Sequence, residues 1–386
     1  MGSDKKISTR AFVVRSPGSQ FLLEDVILDE VQANEVLVEI KYTGLCHTDI
    51  VVQSGGIPVG DFPAVLGHEG TGIVRRLGSR VNTNSLKEGD EVLLSFSTCC
   101  ECGPCKSGSL GSCIRFTEIN IAGARGPSIS DSPISFPNGD PIRGQFFGQS
   151  CMAKLAIVPE TSIVKLNPGS ALSESDIASL APLGCGYLTG AGTVMNVLKP
   201  NPTSRFVILG MGAVGLSALM AAKAIGVESI LAVDLFDSKL ELAKSLGASC
   251  TLNTKDLPDL VQGVRSLFPE GVDHILDTTG VGPVLESAIK VLGHGGILAI
   301  VGAPPVTASV NISPLDLLMN CKRVVGAVEG AADPAVLLPL LVDWYKEGKF
   351  PVNRLAKVYL ANQLHVALED LHAGKVIKPV LDWSSV

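Results

Sequence analysis

The sequence predicts an α/β protein that joins a β-rich domain to a doubly wound parallel sheet. Three observations predict this. At 386 residues the chain exceeds what one ordinary hydrophobic core supports, so two domains are expected. Its first half carries short β-branched runs punctuated by Gly, Pro and Asn. From about residue 187 strand-like and helix-like stretches alternate, the pattern of parallel βαβ units.

In the first part, residues 11–14, 35–41, 70–76 and 91–95 read as strands of a folded-over sheet. Residues 117–150 shift to Gly, Pro, Ser and Asp, which suggests an ordered surface loop rather than a linker. In the second part, a buried-strand run at 206–209 leads through a glycine-rich turn into an apolar helix at 214–225. A strand at 229–234 and a helix at 238–246 follow, with Gly247 supplying the stop. Further strands are expected at 249–252, 274–277, 297–301 and 323–328, six in all, and helices at 335–347 and 360–373.

Composition removes several classes of function. Apolar residues make up 46% of the chain, enough for large cores and without the signature of disorder. A net charge of -7 speaks against a nucleic-acid partner, which demands clustered Lys and Arg. No secretion-type apolar stretch opens the sequence, and no run is long enough to span a bilayer, so a cytoplasmic protein is expected.

Gly210-Met-Gly212-Ala-Val-Gly215 follows a strand and opens a helix, the setting a dinucleotide site requires. Gly210 permits the turn, Gly212 admits the pyrophosphate to the backbone, and Gly215 lets helix and strand pack closely. Asp234 ends the next strand 19 residues after Gly215, where a carboxylate accepts from both ribose hydroxyls and repels the extra phosphate of NADP. NAD is therefore the expected cofactor. Lys239, one turn into the following helix, is either a second ribose contact or a solvated lysine.

Four of the ten cysteines form Cys99-x-x-Cys102-x-x-Cys105-x7-Cys113, within a lobe expected at residues 95–117. Four thiolates on one tight loop close a tetrahedron and leave no open position, so a structural zinc is expected there. Iron–sulfur clusters also take four cysteines and rank behind zinc. Cys100 stands inside the pattern as a spectator.

Spacing alone says little about Cys46, His68 and Cys185, since a lone His or Cys is more often core than ligand. Their surroundings say more. Gly44-Leu-Cys46-His47-Thr48-Asp49, Gly67-His68-Glu69-Gly70, Pro182-Leu-Gly-Cys185-Gly186 and Val301-Gly302-Ala303-Pro304-Pro305 resemble signatures of the medium-chain, zinc-dependent alcohol dehydrogenases. The resemblance spans essentially the whole chain. It implies a GroES-like catalytic domain at 1–186 and 329–386, with a Rossmann domain inserted at 187–328 and the active cleft at their junction. It further implies a second, catalytic zinc held by Cys46, His68 and Cys185, with Glu69 beside it. Thr48 then takes the alcohol proton and Asp49 orients His68. His47 and Lys378 meet the cofactor pyrophosphate, Thr189 and Val214 flank the nicotinamide, and Val301 is a further cofactor contact.

One position departs from the family pattern. Many members carry a histidine three residues after the relay hydroxyl, and here Val51 cuts that relay short. The run from His47 to Val52, with Val328-Glu329-Gly330, resembles the branch that oxidises aryl and allylic alcohols. Phe96, Phe147 and Ile50 are then candidates to line an apolar cleft. The resemblance also implies a homodimer or homotetramer formed through the edge of the sixth Rossmann strand. Rival readings are glutathione-dependent formaldehyde oxidation, reduction of an activated C=C bond, and a non-enzymatic NAD sensor. Intact zinc ligands weigh against the last two.

Overall fold

A computed structural model describes residues 6–57, 60–123, 125–126, 128–166, 172–255 and 259–386. It divides into two compact units: Met1–Cys185 with Pro334–Pro339 and Val352–Val386, and Gly186–Asp333 with Leu340–Pro351. Residues 329–333 and 340–351, expected with the catalytic domain, group instead with the nucleotide unit.

The first unit begins with ten strands: β1 (Ile7–Val14), β2 (Phe21–Leu28), β3 (Glu35–Gly44), β4 (Ala64–Val65), β5 (Gly70–Leu77), β6 (Glu91–Leu94), β7 (Ile134–Ser135), β8 (Pro141–Ile142), β9 (Leu155–Pro159) and β10 (Ile163–Lys165). They form two sheets. One has the order β4-β1-β2-β7-β8; in the other, β10-β6-β5-β3 run side by side and β9 also pairs with β3. A single short helix, α1 (His47–Gln53), leaves the end of β3. The region 117–150 departs from the sequence reading. It contributes β7 and β8, and Arg143, Phe146, Phe147, Gln149 and Ser150 are buried core rather than surface loop. Arg125 staples the excursion to β3, its guanidinium donating to both carboxylate oxygens of Glu35 at 2.8 Å.

The second unit opens with α2 (Gly186–Gly192) and then alternates: β11 (Arg205–Leu209), α3 (Ala213–Ala224), β12 (Ser229–Asp234), α4 (Asp237–Ser245), β13 (Cys250–Asn253), α5 (Leu260–Leu267), β14 (Val272–Asp277), α6 (Gly282–Val291), β15 (Leu292–Ile300) and β16 (Arg323–Gly326). All six strands are parallel, in the order β13-β12-β11-β14-β15-β16. This is the strand order of a dinucleotide-binding sheet, with the switch point between β11 and β14. Both faces of β11 are covered: Val207 and Leu209 join the cluster around Leu231, Ile275 and Leu285, while Phe206 and Ile208 are equally buried. That double burial explains the unbroken apolar run in the sequence.

The tail returns to the first unit. The expected helix at 360–373 begins only at Leu364, because Leu360 ends a strand, β17 (Ala356–Leu360). This strand pairs in parallel with β18 (Lys378–Asp382), and β18 pairs antiparallel with β3. Trp383 then closes the corner, its indole N–H donating to Thr43 Oγ1 at 2.9 Å.

Candidate active site and its metal and dinucleotide pockets

Cys46, His68, Glu69 and Cys185 converge, with their ligand atoms within 4.8 Å of one another. Cys46 caps α1, and its backbone N–H donates to Asp49 Oδ2 at 3.1 Å. The other oxygen of Asp49 accepts from the Gly67 N–H and from His68 Nδ1, both at 3.0 Å. One buried carboxylate thus ties the helix start to the loop that delivers the histidine. Gly67 has φ +91°, and a Cβ there would come within 2.4 Å of Met152 N, so only glycine lets this loop lie against the chain at Cys151 and Met152.

The Asp49 bond fixes the His68 tautomer. With the proton on Nδ1, the lone pair belongs to Nε2, which is buried and makes no hydrogen bond. An orphaned imidazole nitrogen beside two cysteine sulfurs is the donor set of an open zinc site. Charges in the pocket are strongly mutual. A hydrogen bond from Cys185 holds the Cys46 thiol well below its usual range, helped by the charge of Lys378. Burial pushes Glu69 up to about 7, against the opposing pull of Lys378.

The sequence reading sent Lys378 to the cofactor pyrophosphate, and the structure gives its amine other acceptors. The side chain is buried, and Nζ donates to Glu69 Oε1 and Oε2 at 2.9 Å and to Leu45 O at 3.2 Å. Thr48 Oγ1 lies 3.6 Å from Cys46 Sγ, and His47 is exposed at the first turn of α1.

Two residues around His68 carried no signal in the sequence. Gln149 Nε2 donates to His68 O at 3.0 Å and to Ser95 O at 2.9 Å, bracing the histidine loop against β6. Phe146 meets the imidazole edge-on at 5.4 Å. Phe147, one of the cleft candidates, stacks on it at 4.5 Å. Gln145, Phe147 and Ser150 all have positive φ, a strained run of the kind that persists where its surroundings over-determine it. Through Phe116 the aromatic wall reaches Phe96, the second candidate. Ile50, the third, lines a different hollow of about 410 Å³ with Phe12, Phe21 and Leu364.

Cys99, Cys102, Cys105 and Cys113 also converge within 4.8 Å. Their sulfurs stand 3.5 Å (Cys113 to Cys99) and 3.9 Å (Cys99 to Cys105) apart. A tetrahedron with Zn–S bonds of about 2.3 Å has sulfur–sulfur edges of about 3.8 Å, so the set fits zinc. Backbone N–H groups of Cys105 and Ile114 hold the Cys102 thiol down to about 6, a thiolate at neutral pH. Cys100 is exposed.

In the second unit, Gly210, Asp234 and Lys239 share a cleft of about 480 Å³ with Leu235, Phe236 and Val281. Gly210 has φ +91°, and a Cβ on Gly215 would sit 1.9 Å from Gly210 O. Gly212 faces open space, where the backbone is bare for a phosphate. Asp234 accepts from Met211 N and Leu235 N, both at 2.7 Å, which turns its carboxylate toward the glycine loop. Lys239 Nζ lies 5.0 Å over the Phe236 ring. Thr189 is buried, while Val214 and Val301 are half-buried.

Two family models match this chain: an alcohol dehydrogenase GroES-like domain over residues 32–168 and a zinc-binding dehydrogenase over residues 213–343. A geraniol dehydrogenase from Castellaniella defragrans is 38% identical over 97% of this chain and 98% of its own. An S-(hydroxymethyl)glutathione dehydrogenase from Paracoccus denitrificans is 32% identical, covering 97% and 99%. The crystal structure of benzyl alcohol dehydrogenase from Acinetobacter calcoaceticus superposes with a TM-score of 0.90 at 38% identity, covering 97% of this chain and 99% of that one. The pockets that the sequence assigned to zinc and to a nicotinamide dinucleotide have the donors and the open backbone those cofactors need. Similarity of this extent, with both models in chain order, establishes that the chain belongs to the zinc-dependent, medium-chain alcohol dehydrogenases.

Proposed function

We propose that this protein transfers a hydride between NAD and a primary aryl or allylic alcohol, or its aldehyde. In this reading Cys46, His68 and Cys185 hold a catalytic zinc and the four-cysteine lobe holds a structural one. The observation that carries it is His68, whose Nε2 is left without a hydrogen bond between two thiols while two phenylalanines wall the ring. Bound zinc supplies a Lewis acid that lowers an alcohol's pKa, and NAD supplies the hydride acceptor. The chain's residues do the rest. Asp49 keeps the His68 lone pair aimed inward, and Thr48 Oγ1 accepts the alcohol proton. Val51 carries no titratable group to pass it on, so the proton leaves by another route. Asp234 receives the adenosine ribose, Gly212 and the start of α3 receive the pyrophosphate, and exposed His47 offers it a further donor. Thr189, Val214 and Val301 meet the nicotinamide, and Lys239 assists at the ribose.

The aryl or allylic preference draws on the aromatic wall and on the names of the geraniol and benzyl alcohol dehydrogenase relatives. A cleft of this kind gains about 0.8 kcal/mol per buried CH₂, and ethanol has almost nothing to bury. Benzyl, cinnamyl or geranyl alcohol should exceed ethanol in kcat/KM by at least about a hundredfold, followed by NADH absorbance. Best turnover with the glutathione adduct of formaldehyde would overturn the assignment.

Two coarser features extend the reading. Among the described residues no helix is long and apolar enough to cross a membrane and no cysteine pair forms a disulfide, and we place the protein in the cytoplasm. β16 is a sheet edge, and the preceding helix Pro314–Met319 exposes Leu315, Leu318 and Met319. A second copy pairing at this edge would cover them, giving the homodimer or half of a homotetramer.

A further inference from the structure

A buried carboxylate stands in the half of the nucleotide unit that the established motifs leave without a role. Asp234 on β12 and the glycine loop after β11 account for the adenosine ribose and the pyrophosphate. A dinucleotide laid across such a sheet puts its other nucleoside over the ends of the second strand triplet, here β14, β15 and β16. Glu329 lies at that place, three residues beyond the end of β16, and it is 7% exposed.

Its backbone is held there against preference. Glu329, Gly330 and Ala331 have φ of +47°, +61° and +49°, and two of the three are not glycine. Neighbours in the same unit enforce the turn. A Cβ on Gly330 would lie 2.6 Å from Gly192 Cα, so the turn presses directly onto the end of α2. Asn196 Nδ2 donates to Gly330 O at 3.1 Å. The outcome is a carboxylate aimed at α2, where the Thr189 hydroxyl donates to Oε2 at 3.0 Å. Such strain persists where the surroundings over-determine it, and it clusters at functional positions.

We infer that Glu329 selects the oxidation state of the cofactor, favouring NAD+ over NADH through its charge. The inference rests on the reading that this unit binds NAD. The nicotinamide of NAD+ is a pyridinium cation and that of NADH is neutral, so a fixed, poorly solvated negative charge on that side attracts only the oxidised form. Thr189 acts as a positioning residue that fixes the carboxylate. In function, the enzyme takes up NAD+ firmly and lets NADH go, which biases turnover toward alcohol oxidation.

The test is fluorescence and calorimetric titration of the zinc-loaded full-length protein with NAD+ and with NADH. Glu329→Gln keeps the size and an oxygen for Thr189 while removing the charge. The expected result is a rise in the ratio Kd(NAD+)/Kd(NADH) on the order of tenfold, with Kd(NADH) within about twofold of wild type. Equal weakening of both forms would mark Glu329 as merely structural, and no change in either would leave its charge without effect; each result overturns the inference. Thr189→Val retains the charge and gives an independent reading should the first variant fold poorly. Its ratio should rise in the same direction by about threefold as the carboxylate loses its anchor, while Thr189→Ser keeps the wild-type ratio; an unchanged ratio in the valine variant would overturn the positioning of the charge. Asp234→Gly separates the underlying assignment: it should weaken both forms together, and no effect on either would remove the dinucleotide site itself.

Discussion

Lys378 and Glu69 are 309 residues apart in the chain, yet the lysine Nζ lies 2.9 Å from each carboxylate oxygen, fully inside the first unit. The glutamate sits against the metal pocket, and the lysine arrives on β18, which pairs with the end of β3. A charge buried this deeply is tolerable because its partner is buried with it. Removing the partner strands it.

Lys378→Met should therefore cost about 3 kcal/mol of stability, part of it relieved when Glu69 takes up a proton. The double variant Lys378→Met, Glu69→Gln should recover more than half. NAD affinity in the folded single variant should change less than about threefold, because the amine's acceptors lie in the metal pocket. Thermal unfolding and cofactor titration measure both, and a tenfold loss of NAD affinity at unchanged stability would restore the pyrophosphate role.

The two metal sites should separate by variant. Purified protein should contain two zinc ions per chain, and Cys46→Ser should lose about one together with turnover while the fold persists. Cys102→Ser should also lose about one, but with a marked fall in unfolding temperature, since structural zinc contributes directly to folding. In the zinc-loaded protein a thiol reagent should find Cys100 and Cys321, the two exposed cysteines, first. One zinc in fully active enzyme would refute the pair of sites.

Cofactor choice follows from Asp234. NAD should exceed NADP in kcat/KM by at least about tenfold, and Asp234→Gly should narrow that margin. Because the carboxylate also accepts from Met211 N and Leu235 N, the variant should loosen the glycine loop and raise KM for NAD as well. Equal use of both cofactors by the unaltered enzyme would place the second-strand acid elsewhere.

An acid limb is expected from Asp273, which accepts from the Arg205 guanidinium and its backbone N–H across β14 and β11. Partial burial opposes ionisation, but the Arg205 hydrogen bonds outweigh it and hold the carboxyl below its ordinary value. A depressed acid stabilises the fold above its unfolded value near 3.9, and that contribution fades as pH falls through the lower folded value. Since the pair is about a third exposed, its worth is about 1 kcal/mol, or a few degrees in Tm. Asp273→Asn should lower Tm by that amount at pH 7, and the difference should shrink steadily as the pH falls below the unfolded value near 3.9. A constant difference across this range would mean that packing, not charge, accounts for the loss.

Local chemistry wrote much of this protein into its sequence. A phosphate loop needs glycine at fixed offsets, and the turn Gly210 to Gly215, the strand ending in Asp234 and the helix after it lie where the pattern put them, within a residue or two. Four thiolates on one metal need short spacings, and Cys99 to Cys113 close to within 4.8 Å. Neighbours in sequence could express these features because each is assembled within one or two adjacent elements. What tertiary structure decided lies farther apart. Periodicity cannot show that Gln149 braces His68, that Phe147 stacks on it, or that Ile50 faces another hollow, because each depends on which elements pack together. The short strand β17 went unread, with only its last residue, Leu360, assigned to the following helix, because it carries little apolar alternation of its own and is fixed by pairing with β18. The family resemblance assigned Lys378 to the pyrophosphate, and only the return of β18 to β3 shows its amine against a buried carboxylate. The left-handed turn at Glu329 is likewise invisible to propensity, which disfavours it, and it exists because Gly192 leaves room for Gly330 to press against α2.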